Sequence, residues 1–294
     1  MVTSALATDA LLPETELARI ARVIAPYLEG RRPSAAGLQT MHRPASQGMD
    51  FLDFRDYQPG DDSRSIDWRA SARSRAVQVR RYCGEVASDW YLCVDDSASM
   101  GFGQGEENRV LARKLAAALA YLLLRLGHRV GLLLFSSDID AACGLGRGNP
   151  QYARILKTLY GHDNRAAGGR SELGSCAATV GQRHPLVIVS DFLAPDAMVP
   201  TLARLQASQR QLHLFQLDAT PLQSGNDFVL LEDVESGETR PCGEADSAHA
   251  AALERYARLQ QQLSHWSGRY RIPHSLCHGN DNWRELLLRH FTGN

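Results

Sequence analysis

The apolar run at 90–94 ends abruptly in a carboxylate, Asp95, and two hydroxyls follow at alternate positions, Ser97 and Ser99. A short continuous run of this kind predicts a buried strand. The loop after a buried parallel strand is where open α/β sheets place their ligand sites. Oxygen donors at this density suit a hard divalent cation such as Mg²⁺. Because Asp and Ser are also common in turns and helix caps, the motif alone leaves a plain strand, turn and cap open.

Apolar runs alternate with segments of helical period along most of the chain. The runs predict buried or edge strands, and the periodic segments predict helices between them. The predicted strands are 129–135, 139–143, 185–191, 211–218, an edge hairpin from 228 and a last strand at 275–278. The predicted helices are 107–126, 151–160, 173–183, 195–208, 247–266 and 282–291. Strands alternating with helices require right-handed crossovers, so we predict an α/β fold with a mostly parallel sheet covered on both faces.

The first part of the chain predicts a different organisation. Pro13 opens a helix with one apolar stripe, and Gly30 ends it. After an irregular connection, residues 51–73 are dense in Asp, Arg and aromatic side chains, and the alternation at 77–82 predicts a strand. We therefore predict an N-terminal part, 1–85, packed on a main domain, 86–294.

Composition limits the function classes. The formal charge of −1 gives no global field that would direct the chain to nucleic acid or to an anionic membrane. No apolar run approaches the roughly 20 residues of a transmembrane helix, so we expect no membrane insertion. The N-terminus lacks the basic segment and apolar core of a secretory signal. The scattered cysteines form no Cys-x-x-Cys pair, which favours a reduced, cytoplasmic setting.

Two further segments are predicted to join the Asp95 loop. All parallel strands of such a sheet end on one side, so Asp95 and Asp191 should project to the same edge. Ser171 follows a Gly-Gly pair ahead of a predicted helix and can reach that edge. Mg²⁺ prefers six oxygens and keeps several waters. The predicted ligands, completed by waters, are Asp95, Ser97, Ser99, Ser171 and Asp191.

This set resembles the metal-ion-dependent adhesion site of von Willebrand factor A domains, which pairs an Asp-x-Ser-x-Ser loop with a later hydroxyl and a later carboxylate. That hydroxyl is usually Thr, where this chain has Ser171, and Glu172 stands where Asp is common. The resemblance implies a von Willebrand factor A-like, Rossmann-like fold. It also implies a protein-binding module whose metal keeps one position open for a partner's acidic side chain. A carboxylate there displaces water and gains a charge-assisted contact.

A narrower resemblance comes from the block that begins Gln58-Pro59-Gly60-Asp61-Asp62 and continues through Asp67-Trp68 to Arg73. It is similar to an uncharacterised bacterial family whose genes typically lie beside those of MoxR-type AAA+ ATPases. This implies an adaptor that works with such an ATPase in the assembly, activation or remodelling of client proteins. The block itself is predicted to brace the sheet rather than to contact the partner.

Two other classes of function stay open. A Mg²⁺-dependent hydrolase or phosphotransferase could use Asp95 and Asp96, but the sequence has neither a phosphate-binding loop nor a Gly-x-Ser-x-Gly elbow, so we do not expect an enzyme. A nucleic-acid-binding module would rest on the arginines within 64–81, whose neighbouring carboxylates offer internal partners. A zinc site at His274, Cys277 and His278 would need a fourth ligand.

Overall fold

The fold is described from a computed structural model that covers the whole chain. The described residues are 12–28, 50–57, 66–74, 76–83, 88–101, 106–162, 171–180, 184–193, 195–208, 211–220, 229–232, 239–242 and 245–293. The chain divides into two compact units. The larger unit comprises Met1–Leu28 and Ser88–Asn294, and the smaller unit comprises Glu29–Ala87.

The smaller unit contains a two-stranded antiparallel sheet, in which β1 (Asp50–Asp56) pairs with β2 (Gln78–Cys83). Between them lies the short helix α2 (Trp68–Ser71), because Asp67 caps it: its Oδ1 accepts hydrogen bonds from the backbone N–H groups of residues 69 and 70 at 2.8 and 2.9 Å. The Asp67 backbone N–H also donates to the Gln78 carbonyl. Within the family-like block, Asp67 therefore has a structural role. The Pro59–Asp62 part of that block lies outside the described residues.

The larger unit is built on a six-stranded sheet. The strands are β3 (Asp89–Asp95), β4 (Arg129–Phe135), β5 (Ile139–Gly146), β6 (Leu186–Ser190), β7 (Leu212–Leu217) and β10 (His274–Cys277). Their order in the sheet is β10-β7-β6-β3-β4-β5, in which five strands are mutually parallel and β5 runs antiparallel to β4 at one edge. A separate hairpin joins β8 (Val229–Glu232) to β9 (Thr239–Cys242). The predicted α/β class and mostly parallel sheet are confirmed.

Helices cover both faces of this sheet, as alternating side chains of the buried strands require. The helices are α1 (Glu14–Leu28), α3 (Glu106–Arg125), α4 (Gly148–Gly161), α5 (Leu173–Val180), α6 (Pro195–Ala207), α7 (Ala245–Arg269) and α8 (Trp283–Thr292). Leu92 and Val94 of β3 pack into the core shared with α1, α3, α4 and α8. Cys93, between them, packs into the opposite core with α5, α6 and α7. None of the helices in the described ranges combines the length and apolar character that a membrane crossing needs.

Helix α1 belongs with the larger unit, whereas the sequence-based division placed it with residues up to 85. Its apolar stripe is buried, including Leu17 and Ile24, and contacts α3 and α8. The hydroxyl of Tyr121 in α3 donates to Glu14 at 2.9 Å, which fixes the start of the helix. The main domain therefore draws its first helix from ahead of the smaller unit.

Candidate metal centre

The predicted ligands lie at the carboxyl edge of the central strands. Strands β3 and β6 are parallel neighbours in which Val94 pairs with Val189, so Asp95 and Ser190 end their strands side by side. Asp191 is the next residue after Ser190. Asp95 is 1% exposed, and the other predicted ligands are buried as well. The parallel topology therefore brings two distant chain segments to one edge of the sheet, as the sequence predicts.

The Asp95 carboxylate is the centre of a hydrogen-bond cluster. Its Oδ1 accepts from the backbone N–H of Ser97 at 3.0 Å, which folds the loop back over the strand end. Its Oδ2 accepts from the Ser190 hydroxyl at 2.6 Å and also from the Ser171 hydroxyl. Ser171 lies 76 residues along the chain, immediately ahead of α5. Three segments thus meet at one carboxylate.

The serine hydroxyls converge on the same point. Ser97 Oγ lies 3.0 Å from Ser99 Oγ and 3.5 Å from Ser171 Oγ. In an octahedron with Mg–O distances of about 2.1 Å, adjacent oxygens lie about 3.0 Å apart. The spacing and the all-oxygen composition of this cluster therefore fit a Mg²⁺-like cation. The hydroxyls also form hydrogen bonds with one another and with Asp95.

Asp191 lies beside this cluster on a tight backbone turn. Its Oδ1 accepts from the backbone N–H of Leu193 at 3.1 Å, and the Phe192 N–H donates to the Ser190 hydroxyl at 3.0 Å. Phe192 has a φ of 53°, in the left-handed region that costs a non-glycine residue about 1 kcal/mol or more. The turn orients Asp191 at the strand end. Asp95, Ser97, Ser99 and Ser171 are in hydrogen-bond contact, and Asp191 borders them through Ser190.

Burial governs the charge state of the two consecutive carboxyl groups. Burial raises the pKa of Asp95, and hydrogen bonds from Ser171, Ser190 and Ser97 only partly oppose it. Burial likewise raises the pKa of Asp96, opposed by the nearby Arg113 and Arg109 guanidinium groups. A divalent cation bound beside Asp95 would favour the ionised carboxylate, so its binding would be linked to proton release.

Sequence reasoning missed two residues that support the cluster. Ser190 lies within the predicted strand 185–191 and is not among the predicted ligands, yet its hydroxyl donates a hydrogen bond to Asp95 directly. Arg109 was not singled out at all, although its Nη2 donates to the Ser97 carbonyl at 3.0 Å. The end of a buried strand was a usable signal for Ser190. Arg109 stands among polar residues at a helix start, a pattern typical of a solvated turn.

The zinc alternative finds no support in the described part of the chain. There, no three or more His, Cys, Asp and Glu side chains group in a way that could hold a metal ion. His274 Nε2 faces Gln216 at 3.1 Å, and His278 Nδ1 faces Asp218 at 2.8 Å. Cys277 is fully buried, and burial raises its pKa to about 12. The candidate centre at Asp95 relies on hydroxyl oxygens instead.

A second polar cluster lies at the carboxyl ends of β7 and β10. Asp218 Oδ1 accepts from the Tyr256 hydroxyl at 2.7 Å and from the Thr220 backbone N–H at 3.1 Å, and Oδ2 faces His278. Burial alone raises the pKa of Asp218, but these hydrogen bonds together outweigh it, so the pKa lies below its ordinary value. Asp218 is therefore an ionised, buried anchor on the same edge of the sheet.

Replacing Tyr256 by phenylalanine is expected to lower the free energy of unfolding by about 1–3 kcal/mol. The lost hydroxyl donates to Asp218 and accepts from the Ala219 backbone N–H at 2.9 Å, so a buried donor is left unpaired. Urea unfolding at neutral pH measures the loss. Tyr270, which is 43% exposed, provides the matched control, since Tyr270→Phe should change stability little. Equal stability of both variants would contradict the anchoring role.

Together, the fold and the site define a class: an α/β protein with a mostly parallel sheet and an oxygen-lined cluster at its carboxyl edge. Residues 53–263 match the family described as Protein of unknown function DUF58, and the chain belongs to that family. It is 32% identical over 210 residues to uncharacterized proteins of Mycobacterium bovis (strain ATCC BAA-935 / AF2122/97) and Mycobacterium tuberculosis (strain ATCC 25618 / H37Rv). The match covers 68% of this chain and 66% of each relative, so the chain spans slightly under two thirds of their length.

Solved structures resemble the chain at low sequence identity. The conserved hypothetical protein BatB from Bacteroides thetaiotaomicron is similar over 70% of this chain and 98% of its own, with 11% identity and a TM-score of 0.43. The pilus adhesin SpaC from Lactobacillus rhamnosus GG, in its open conformation, is similar over 58% of this chain and 30% of its own, with 12% identity and a TM-score of 0.34.

Proposed function

We propose that this chain is a metal-dependent protein-binding adaptor with a von Willebrand factor A-like domain, and not an enzyme. The single observation that carries the proposal is the convergence of one carboxylate and three hydroxyls from separate segments, with Ser97 and Ser99 oxygens 3.0 Å apart. The proposed partner is a MoxR-type AAA+ ATPase, and the proposed role is assembly, activation or remodelling of client proteins. We propose a cytoplasmic location for this work.

Strand topology supports a ligand site at this position. The six-stranded sheet has a single antiparallel strand, β5, at one edge, and the oxygen cluster lies at the carboxyl end of the central strand β3. A ligand at this position is what open α/β sheets favour. The left-handed backbone at Phe192, beside the cluster, is the kind of local strain that folds retain at functional sites.

The metal ligands in this proposal are Asp95, Ser97, Ser99, Ser171 and Asp191, with water in the remaining positions. Bound there, Mg²⁺ would supply a fixed positive charge that a partner's carboxylate can reach by displacing a water. The chain's own groups set the charge around it. Asp95 and Asp191 balance a divalent ion, and Arg109 and Arg113 lie near two further carboxylates, Asp96 and Asp140. The cation at the open position would then be the local positive charge that an acidic ligand contacts, which favours it over a neutral one.

Binding to the MoxR-type ATPase of the same organism tests the adaptor role. A charge-assisted contact through the metal is worth about 1.5–3 kcal/mol, so EDTA should weaken binding about tenfold to a hundredfold and excess Mg²⁺ should restore it. Surface-immobilised ATPase and the purified chain give the affinities directly. Affinity that is the same with EDTA and with Mg²⁺ would rule out the metal-dependent mechanism, and absence of binding would rule out this partner.

The hydrolase alternative predicts a different experimental result. If Asp95 and Asp96 served phosphoryl transfer, Mg²⁺ would support turnover of a generic phosphoester such as p-nitrophenyl phosphate, and Asp95→Ala would remove it. Asp96 is engaged by Arg113 at 3.6 Å and lies 3.9 Å from His162, which favours a structural ion pair over a proton-transfer group. Turnover that depends on Asp95 would replace the adaptor proposal.

A further inference from the structure

The first turn of helix α3 holds two polar side chains in the interior. Arg109 is 7% exposed and Asn108 is 1% exposed, although the start of a helix offers both an easy path to solvent. Arg109 Nη2 donates to the Ser97 carbonyl at 3.0 Å, and Asn108 Nδ2 donates to the Asp218 carbonyl at 2.7 Å. Consecutive residues thus tie the helix to the loop after β3 and to the end of β7.

Burying a guanidinium group is expensive, so its position requires a reason. Taking a charge out of water costs several kcal/mol unless partners compensate for it. Among the described residues, Arg109 Nε has no hydrogen-bond partner, and Nη2 donates to the Ser97 carbonyl. The nearby Asp96 carboxylate offsets part of the charge, but Arg109 shares that interaction with Arg113. The hydrogen bond to Ser97 is therefore the contact that sets Arg109 apart from Arg113.

The bonded carbonyl belongs to a residue of the candidate metal centre. Ser97 supplies its N–H to Asp95 Oδ1, its hydroxyl to the cluster and its carbonyl to Arg109. Fixing the N–H and the carbonyl on either side of the Ser97 α-carbon fixes the direction in which its hydroxyl leaves the backbone. The Ser97 carbonyl also accepts from the Met100 N–H, so it forms part of the turn that carries Ser99.

We propose that Arg109 is the positioning residue of the metal centre, holding the Ser97–Ser99 loop in the geometry that a cation needs. The proposal rests on the proposed metal-binding function and adds a group that no ligand motif contains. Arg109 does not touch the metal. It acts through the Ser97 carbonyl, as the groups that support metal ligands commonly do.

Charge and position predict opposite results for this residue, which makes the proposal testable. A positive charge near a divalent cation weakens metal binding by repulsion, so removal of the charge alone would raise the affinity. Removal of the hydrogen bond loosens the loop and lowers the affinity. Arg113, one helical turn further on, bears the same charge but contacts Asp96 and the His162 carbonyl instead of Ser97. It is the matched control.

The experiment titrates Mn²⁺, a Mg²⁺ substitute visible by electron paramagnetic resonance, into the full chain and its variants. Supporting groups of this kind are worth about 10–100-fold in metal affinity, so Arg109→Met should bind Mn²⁺ about tenfold or more weakly. Arg109→Lys, which keeps a donor, should recover part of the loss. Arg113→Met should bind as the parent does or more tightly. Thermal unfolding with EDTA checks that each variant is folded.

The Mn²⁺ titrations distinguish a failure of the positioning role of Arg109 from a failure of the metal site itself. Unchanged or tighter Mn²⁺ binding by Arg109→Met, with binding still lost in Asp95→Ala, overturns the positioning role and leaves the metal site standing. Equal weakening by the Arg109→Met and Arg113→Met variants also overturns it, because a general change of the helix would then explain both. Absence of Mn²⁺ binding by the parent overturns the metal site and this inference together.

Discussion

Replacing Asp95 by alanine is expected to abolish Mg²⁺ and Mn²⁺ binding, with a loss of more than about a hundredfold, since groups that merely support a ligand already cost about 10–100-fold. Asp95 is the carboxylate on which Ser97, Ser171 and Ser190 converge. Without it, the hydroxyls have no anionic centre around which a cation can assemble. Calorimetric titration of the parent and the variant with Mg²⁺ measures the difference.

The fold should survive this substitution. Burial raises the pKa of Asp95, so the ionised group carries a desolvation cost in the metal-free protein that the variant does not have. The Asp95→Asn side chain has the same shape as aspartate and keeps one acceptor oxygen. In the presence of EDTA, the free energy of unfolding of this variant should be no lower than that of the parent. Asp96→Asn, one residue on, is the control and should retain the metal. Equal Mg²⁺ affinity of the parent and Asp95→Ala would end the case for the site.

The sequence was informative about the sheet because the central strands are buried on both faces. The continuous apolar runs at β3, β4, β6 and β7 have no polar face to obscure them, and each was located to within about a residue or two. Helix α3, whose apolar residues recur at the helical period, was equally clear. Burial on both faces leaves a simple pattern, and for that reason the carboxyl ends of these strands could be predicted as well.

Elements at the margins were predicted less well for an equally physical reason. Strand β1 was not identified, because it pairs with a single neighbour and carries a mixture of charged and aromatic residues. The glycine-rich residues 144–148 fall between the predicted strand 139–143 and the predicted helix 151–160, whereas in the structure β5 continues to Gly146 and α4 begins at Gly148. Gly131 of β4 lies close to Tyr91, whose ring fills the space that a side chain there would need. Such contacts between neighbouring strands leave no local trace in the sequence.

In the candidate site, too, the features that are local in the sequence could be predicted and those that depend on tertiary contacts could not. Its oxygen donors could be predicted, since their spacing and their place after buried strands are local features. Their supports could not, because Arg109 and Asn108 become informative only when the Ser97 and Asp218 carbonyls are known to lie beside them. Hydrogen bonds between segments 12 or 110 residues apart depend on the tertiary fold.

The histidines illustrate the same limit and lead to a second large effect. His128 follows the predicted helix 107–126, a position at an element end that predicts a surface residue, yet it is buried, with Nδ1 accepting from the Ser88 N–H at 3.1 Å. His290 Nε2 lies 3.0 Å from His213 Nδ1, and its Nδ1 lies 2.8 Å from the Ser275 hydroxyl. One of the two facing ring nitrogens must stay unprotonated for this contact to hold. At least one of these two buried rings is therefore a neutral imidazole.

Lowering the pH from about 7 to 5 is expected to destabilise the fold through these rings. Burial lowers the pKa of His128 and His274 and holds that of His290 well below its ordinary value. The unfolded chain then binds protons near pH 6.5 while the folded chain does not. The contribution of these histidines to the free energy of unfolding is therefore fully present above that pH and falls as the pH drops. Each ring contributes up to about 1.4 kcal/mol per pH unit to the slope of the free energy of unfolding against pH, and the three rings together contribute up to about 4 kcal/mol per pH unit.

Urea unfolding at a series of pH values measures this slope, and His290→Gln isolates one ring, because glutamine keeps a donor and an acceptor but does not titrate. The variant's slope should be smaller by up to about 1.4 kcal/mol per pH unit. The raised pKa values of Asp95 and Asp96 act in the opposite direction, since the folded state there holds protons longer. Those carboxyls are common to parent and variant and cancel in the difference. Parallel pH profiles for the two proteins would mean that His290 is not held neutral by the fold.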